Sequence, residues 1–161
     1  MTDIRRATLE DLDLIAPLFD GYRRFYGQAA DIPRAKAFLR ERLERNESTI
    51  LLAMRDGTAA GFTQLYPLFS SVRTARLWLL NDLFVAEHAR RGGVARALLD
   101  AAVAFLRQRR AWRRPLLVGV AFEVQRMELL AEADHDVQLW GVVTERGIYG
   151  RAASQLTGSR T

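Results

Sequence analysis

The sequence is constrained most by a long apolar segment, a glycine-containing polar loop and an amphipathic segment that follow one another directly. Residues 75–85 are too uniformly apolar for an edge strand, so we predict a strand at the centre of a sheet. Residues 86–93 form the polar loop, and apolar residues recur at helical spacing over residues 94–110. This order predicts that the unpaired N–H groups at the positive end of a helix point towards the end of a buried strand.

The loop at this junction carries the residue types that bind a phosphate. Two guanidiniums stand beside backbone that Gly93 and the small Ala95 leave accessible, in the sequence Arg90-Arg91-Gly92-Gly93-Val94-Ala95. A diphosphate at the start of a helix fits this pattern. The loop is neither a Walker loop nor a dinucleotide fingerprint, because the residues that define those motifs are absent. The alternative is a solvated basic loop that caps a structural helix, and the strand–loop–helix context favours phosphate binding.

Strands and helices alternate along the rest of the chain, and this alternation predicts an α/β (α+β) fold. The predicted strands cover residues 3–7, 49–55, 60–68, 75–85, 116–122, 137–144 and 148–149. The predicted helices cover residues 8–27, 31–46, 94–110 and 123–133. The dipeptide Asp56-Gly57 is typical of a hairpin turn, and residues 67–74 read as a polar connection.

Length and composition point to one domain. The chain has 161 residues with a hydrophobic fraction of 49%, which suits a single core. We therefore expect one domain over residues 1–161, with residues 150–161 as a frayed tail. The sequence contains no apolar run of 18 or more residues and no charged-then-apolar start before a cleavage site, so we expect a cytoplasmic protein.

Residue usage excludes several classes of site. The sequence has no cysteine and two histidines, His88 and His135, which excludes disulfide frameworks, thiol nucleophiles and cysteine or histidine-rich metal cages. The formal net charge of +5 favours anionic partners. The basic run at residues 107–114 makes a nucleic-acid-binding protein a rival hypothesis. It ranks well behind, because aromatic residues are not interleaved with the basic ones as a stacking platform requires.

The residues at the junction resemble a known family. The stretch Leu80-Asn81-Asp82-Leu83-Phe84-Val85, followed by Arg90-x-x-Gly93-x-Ala95 and Ala97-Leu98-Leu99, is similar to the acetyl-coenzyme A signature of the GNAT (GCN5-related N-acetyltransferase) superfamily. The order of elements from residue 3 to about residue 133 resembles that family too. The aromatic first helix and the Asn-Asp-Leu strand look most like its histone and polyamine acetyltransferase-like branch.

The resemblance implies a fold and an activity. It implies a mixed, mostly antiparallel central sheet flanked by helices, with acetyl-CoA as co-substrate and no metal. It implies an N-acetyltransferase that moves an acetyl group to a primary amine of a small molecule or peptide by direct attack in a ternary complex. It does not name the acceptor amine, and it allows a homodimer.

The resemblance also assigns the residues that hold the coenzyme. It implies that the loop cradles the diphosphate, and that the backbone of Leu83 and Val85 hydrogen-bonds the pantetheine arm at the open edge of a splayed strand. The N–H of Leu83 would then face the thioester oxygen as an oxyanion donor. The cofactor-binding residues predicted in this way are Leu83, Phe84, Val85, Arg90, Arg91, Gly92, Gly93, Val94 and Ala95.

Proton transfer requires a base and an acid near the thioester. Asp82 and Glu123 are the carboxylates available for catalysis, beside the oxyanion donor Leu83. The polar pair Asn81-Asp82 inside an apolar run predicts a β-bulge, and it either serves that bulge alone or the reaction as well. Glu123 alternatively is a helix-start carboxylate that the helix dipole favours.

Three residues are predicted to line the acceptor pocket. Tyr22 and Tyr26 lie on one face of the first predicted helix, and Asn81 stands at the predicted bulge. Aromatic rings over a cation suit an amine acceptor. Tyrosines on an apolar helix face are alternatively core residues.

The general acid of the family is missing from its expected position. Ala131 stands where the resembling family often has a tyrosine. Three explanations compete: the thiolate takes its proton from water or from another tyrosine such as Tyr149; the protein is a non-catalytic acyl-CoA-binding or regulatory module; or the C-terminal third is altered relative to its relatives.

Overall fold

A computed structural model describes residues 1–72, 74–108, 118–120 and 139–150. The chain divides into two compact units, Met1–Ala104 and Phe105–Thr161. The strands are β1 (Thr2–Arg6), β2 (Thr49–Arg55), β3 (Thr58–Ser70), β4 (Ala75–Val85), β5 (Val118–Val120), β6 (Gly141–Val143) and β7 (Ile148–Tyr149). The helices are α1 (Leu12–Phe25), α2 (Ile32–Glu44) and α3 (Val94–Gln108). This is the predicted α+β architecture.

The first unit contains a four-stranded antiparallel sheet in the order β1-β2-β3-β4. Asp56 and Gly57 form the predicted hairpin turn between β2 and β3, with positive φ angles of 51° and 77°. β3 is longer than predicted and runs on to Ser70. The predicted polar connection over residues 67–74 is therefore wrong in its first half, because Pro67 pairs with Trp78 and the pairing continues to Ser70 and Ala75.

Within the described residues β4 does not take its predicted central position. Its bounds are those predicted, but β4 is the last strand of the four-stranded sheet that these residues form. Its apolar side chains are not uniformly buried, since Leu77 and Leu79 are 39% and 41% exposed. The prediction of a central strand assumed that an apolar strand is buried on both faces. In β4 the apolar side chains are partly exposed, so that assumption does not hold.

Local signals place the helices near their predicted bounds. A 3-10 turn, Leu9–Asp11, precedes α1, and the N–H of Thr8 donates to the Asp11 carboxylate at 2.8 Å, as a capping box requires. Asp31 caps α2 by accepting a 2.9 Å hydrogen bond from the Arg34 N–H. Pro33 occupies the first turn of α2, where its missing N–H has no helical partner to lose.

The core of the first unit lies between the sheet and helices α1 and α2. Phe62 on β3 is fully buried, and the Phe19 ring on α1 lies 5.9 Å from it. Gly21 lets α1 approach β4 closely, because a Cβ there would lie only 3.0 Å from the Phe84 ring. The aromatic stripe predicted on α1 therefore packs against the sheet as far as Tyr22, whereas Tyr26 is 66% exposed.

The second unit contains a three-stranded sheet in the order β5-β6-β7. β5 and β6 are parallel, with Val118 opposite Gly141, and β6 and β7 are antiparallel. These strands lie within the predicted segments 116–122, 137–144 and 148–149. Glu123, Ala131, the predicted helix 123–133 and the tail after residue 150 lie outside the described residues. Within the described part of the chain, no helix is long and apolar enough to cross a membrane.

Candidate active site

A β-bulge in β4 carries two of the predicted site residues. Gln64 pairs with Asp82 and its neighbour Leu65 pairs with Leu80, so Asn81 is the extra residue. The predicted bulge at Asn81-Asp82 is therefore confirmed. The bulge leaves Asn81 exposed and Asp82 buried, with 4% of its surface accessible. A carboxylate is thus introduced into the apolar interface between the sheet and α1.

Asp82 is held by side chains from three elements. The Tyr22 hydroxyl on α1 hydrogen-bonds its carboxylate, and Asn81 donates to Oδ1 at 2.9 Å. Thr63 on β3 donates from Oγ1 to the Asp82 carbonyl at 2.9 Å. Burial raises the pKa of the Asp82 carboxyl above its usual range, and the hydrogen bonds from Tyr22 and Asn81 oppose that rise. Asp82 is therefore a stronger proton acceptor than an exposed carboxylate.

The charge of this carboxylate acts on two tyrosines. Burial, and then the hydrogen bond to Asp82, raises the pKa of Tyr22 above its usual range. Burial and the nearby charge of Asp82 raise the pKa of Tyr66 to about 12. Both hydroxyls therefore keep their protons at neutral pH. Sequence reasoning missed Tyr66, because only the pairing of β3 with β4 brings it near Asp82.

The backbone of β4 presents polar groups on the side away from β3. The N–H of Ala86 donates to the Ala60 carbonyl at 2.9 Å, which sets the alternation of the antiparallel ladder. By that alternation Phe84 bonds towards β3, and the N–H and C=O groups of Leu83 and Val85 point the other way. This is the orientation that their predicted contact with a pantetheine arm requires.

A cavity of about 250 Å³ joins the end of α1 to the end of β4. It is lined by Tyr22, Phe25, Tyr26, Leu83, Phe84, Val85 and Arg90. The structure thus brings the predicted acceptor tyrosines to the same cavity as four predicted coenzyme residues. Phe25, which is 72% exposed, was not predicted. The volume is below the usual range for a whole drug-sized ligand, so it suits the reacting end of a long cofactor together with a small acceptor group.

The loop before α3 has an unusual backbone. Arg91 and Gly93 have positive φ angles of 60° and 74°. No heavy atom lies within 4 Å of the place where a Cβ of Gly93 would be, so backbone conformation rather than lack of space favours glycine there. The Ala97 N–H donates to the Gly93 carbonyl at 3.0 Å, the first bond of the helix, so the N–H groups just before Ala97 have no partner within it.

Side chains at this loop divide between the core and solvent. Val94 is buried and anchors the start of α3, whereas Arg91, Gly92 and Ala95 are exposed. Arg90 turns back towards the strand and donates from Nε to the Val85 carbonyl at 3.3 Å. The loop therefore combines accessible backbone N–H groups, guanidiniums and open space above Gly93, which is what a bound diphosphate requires.

Two further residues of the sequence analysis belong to other parts of the chain. Tyr149 lies in β7 of the second unit, and Glu123 lies outside the described residues. Among the residues whose structure is described, no group of three or more His, Asp or Glu side chains could hold a metal ion.

Comparison with known proteins gives the class to which this site belongs. Residues 15–132 match the model of the acetyltransferase (GNAT) family. That match covers more than half of the chain, so the chain belongs to the GNAT family of acetyltransferases. The predicted superfamily is confirmed, and the four-stranded sheet flanked by helices agrees with the fold of its solved relatives.

Individual relatives support the same class. The chain is 55% identical over 100 residues to the uncharacterized N-acetyltransferase YhfO of Bacillus subtilis (strain 168), covering 62% of this chain and 67% of that protein. It is similar to a crystal structure of a probable acetyltransferase, with 51% identity, a TM-score of 0.62 and coverage of 66% and 72%. A predicted acetyltransferase from Clostridium acetobutylicum, solved with acetyl-CoA, shares the fold at 12% identity, with a TM-score of 0.57 and coverage of 100% and 91%.

Proposed function

We propose that this protein is an acetyl-CoA-dependent N-acetyltransferase that acts on a primary amine by direct attack in a ternary complex. The observation that carries the proposal is the cavity in which Tyr22 of α1, and Tyr26 just after that helix, meet Leu83, Val85 and Arg90. An acceptor and a thioester can meet there without a covalent intermediate on the protein. The family match and the Clostridium acetyltransferase solved with acetyl-CoA support the choice of coenzyme.

The coenzyme fits the residues that the structure describes. The N–H groups at the start of α3, with Gly93 at a φ of 74°, would hold the diphosphate. The outward N–H and C=O groups of Leu83 and Val85 would bond the pantetheine arm as an added strand. Bound acetyl-CoA supplies an acetyl thioester, whose acyl group an uncharged amine can attack. The Leu83 N–H would donate to the acyl oxygen, where negative charge develops.

The acceptor end of the cavity favours an amine. Phe25, Tyr22 and Tyr26 present aromatic surface, and the Tyr22–Tyr26 rings meet edge to face at 5.1 Å. The buried Asp82 carboxylate lies behind Tyr22 and attracts a cation. A primary amine on a compact apolar or polyamine-like group suits this lining, in keeping with the histone and polyamine branch that the sequence resembles.

Asp82 would receive the proton that the amine must lose. The Asp82 carboxylate is hydrogen-bonded to the Tyr22 hydroxyl, and that tyrosine lines the cavity. A proton leaving the amine would pass to the Tyr22 oxygen as the tyrosine proton passes to Asp82. The departing sulfur would take its proton from water, since Ala131 stands where the resembling family often has a tyrosine.

The test is calorimetric titration of the purified protein with acetyl-CoA and CoA, followed by thiol release with a panel of primary amines. Gly93→Asp places a negative charge in the loop and should abolish coenzyme binding. Gly27→Asp is the matched control, because Gly27 also has a positive φ, 79°, with no atom within 4 Å of a Cβ. Gly27→Asp should bind the coenzyme as the wild type does.

Three outcomes separate the hypotheses. Coenzyme binding together with thiol release supports the transferase. Binding without release for every amine tested would favour the non-catalytic acyl-CoA-binding module. Absence of binding in the wild type, or full binding by Gly93→Asp, would overturn the assignment of residues 90–95 to the coenzyme.

A further inference from the structure

The hairpin between β2 and β3 places an arginine on the loop at residues 90–95, before α3. Arg55 is the last residue of β2, and its guanidinium lies over Gly92. A Cβ on Gly92 would collide with Nη1 of Arg55 and would lie 3.3 Å from the Ala89 carbonyl oxygen. The space that glycine leaves at position 92 is therefore occupied by the arginine of another strand.

The two adjacent glycines have different roles. Gly93 has a φ of 74°, which favours glycine for its backbone conformation. Gly92 is not among the residues with positive φ, so its conformation does not require glycine. A Cβ at position 92 would instead displace the Arg55 guanidinium from its place over the loop. The packing of Arg55 on the loop thus depends on the small size of Gly92, although Arg55 lies far away along the chain.

The charge of Arg55 is poorly compensated. Among the described residues its ion-pair partner is Asp56, and Arg55 Nε lies 3.8 Å from Asp56 Oδ2. Asp56 is 77% exposed and also lies 3.4 Å from the amino terminus of Met1. An exposed pair at that separation contributes little stability. The guanidinium therefore retains donors for a further anion, and its fork matches the oxygens of a phosphate.

We infer that Arg55 is a phosphate-binding residue of this site and contacts the diphosphate of the coenzyme at Gly92. The inference rests on the proposed function, because it takes the loop at residues 90–95 as the coenzyme site. It assigns the diphosphate rather than the 3′-phosphate, because Arg55 lies on the loop whose N–H groups face the diphosphate. The β2–β3 hairpin thus supplies a second wall of the site, in addition to the start of α3.

The test measures dissociation constants by calorimetry for CoA and for dephospho-CoA, which lacks the 3′-phosphate. Arg55→Ala should raise both constants by about tenfold. Arg55→Lys keeps the charge without the fork and should give a smaller loss for both ligands. Arg6→Ala is the matched control, because it removes one exposed arginine from the other end of the β1–β2 pair. Arg55 lies opposite Thr2 at one end of that pair, and Arg6 lies opposite Leu51 at the other.

Gly92→Ala provides an independent measurement. Its methyl group would displace the Arg55 guanidinium, so the variant should weaken binding of both ligands. In the Arg55→Ala background the same substitution should cost much less, because the side chain it displaces is gone. Equal cost in both backgrounds would show that Gly92 acts without Arg55 and would overturn the inference.

The failure of this inference differs from failure of the proposed function. If the wild type does not bind CoA, both the proposed function and the proposed role of Arg55 are wrong. If the wild type binds CoA and Arg55→Ala binds both ligands equally well, only the role of Arg55 is wrong. A loss confined to CoA would overturn the assignment to the diphosphate. Thermal melting of each variant separates loss of binding from loss of folding.

Discussion

Asn81 donates a 2.9 Å hydrogen bond to the carboxylate of its neighbour Asp82, so the extra residue of the β4 bulge stabilises the buried acid beside it. In a regular strand adjacent side chains point to opposite faces and do not meet in this way. The bulge instead lets an exposed amide donate a hydrogen bond to a buried carboxylate. It also turns Asp82 towards Tyr22, which lines the cavity.

Asp82→Asn should change how stability depends on pH. Burial raises the pKa of Asp82 in the folded state, so the folded protein holds that proton more tightly than the unfolded chain does. The stability this gives is present below the ordinary carboxyl pKa, about 4, and is lost as pH rises through the folded value. The melting temperature of Asp82→Asn relative to wild type should therefore rise from pH 4 to pH 8. Calorimetry on both proteins tests this, with the exposed Glu10→Gln as control. A constant difference across that range would contradict it.

Tyr22→Phe should lower turnover without weakening coenzyme binding. The substitution removes the hydroxyl that hydrogen-bonds Asp82 and keeps the ring against Phe62. We expect kcat to fall by about 100-fold, the lower end of the usual contribution of a positioned proton-transfer group. Tyr26→Phe is the comparison: Tyr26 is 66% exposed, so its loss should act on KM rather than kcat. A kcat within twofold of wild type for Tyr22→Phe would remove Tyr22 from the proton path.

Thr63→Val should destabilise the bulge. Thr63 is fully buried and donates to the Asp82 carbonyl at 2.9 Å, and valine keeps its shape without the donor. Loss of that buried hydrogen bond should lower the free energy of unfolding by about 1 kcal/mol. Urea denaturation measures the loss. Thr58→Val, at the exposed start of β3, is the control, and an equal effect there would argue against a specific role for the hydrogen bond.

Asp11→Asn should cost stability at neutral pH and little at strongly acidic pH. The Arg5 guanidinium contacts both Asp11 oxygens, at 2.5 and 2.8 Å, and holds the pKa of that carboxyl at about 2. Stability from a lowered pKa is present above the ordinary value, about 4, and is lost as pH falls through the folded value. Because Arg5 is 42% exposed, solvent screening limits the effect to about 1 kcal/mol. Denaturation at pH 7 and pH 2 checks this, with Asp13→Asn, an 82% exposed carboxylate, as control. Equal losses at the two pH values would contradict it.

Signals that act over a few residues were readable from the sequence. The Asp56-Gly57 turn, the Asp31 cap of α2, the bounds of β4 and the bulge at Asn81-Asp82 all follow from local sterics and hydrogen bonding. The loop before α3 was readable for the same reason, since glycine spacing and the start of an amphipathic helix are local properties. The family then followed from residues that lie close together in the chain.

Tertiary structure alone decided which distant residues meet. The sequence did not indicate that β4 is the last of the four described strands of its sheet, that β3 runs to Ser70, or that the charge of Asp82 acts on Tyr66. Each depends on how strands pair across long separations. The placement of Arg55 over Gly92 has the same origin. Propensity and periodicity describe the energy of a segment by itself, whereas strand order and side-chain contacts minimise the energy of the whole chain. The chemistry of the loop was therefore visible in the sequence, and the walls of the site were set by packing.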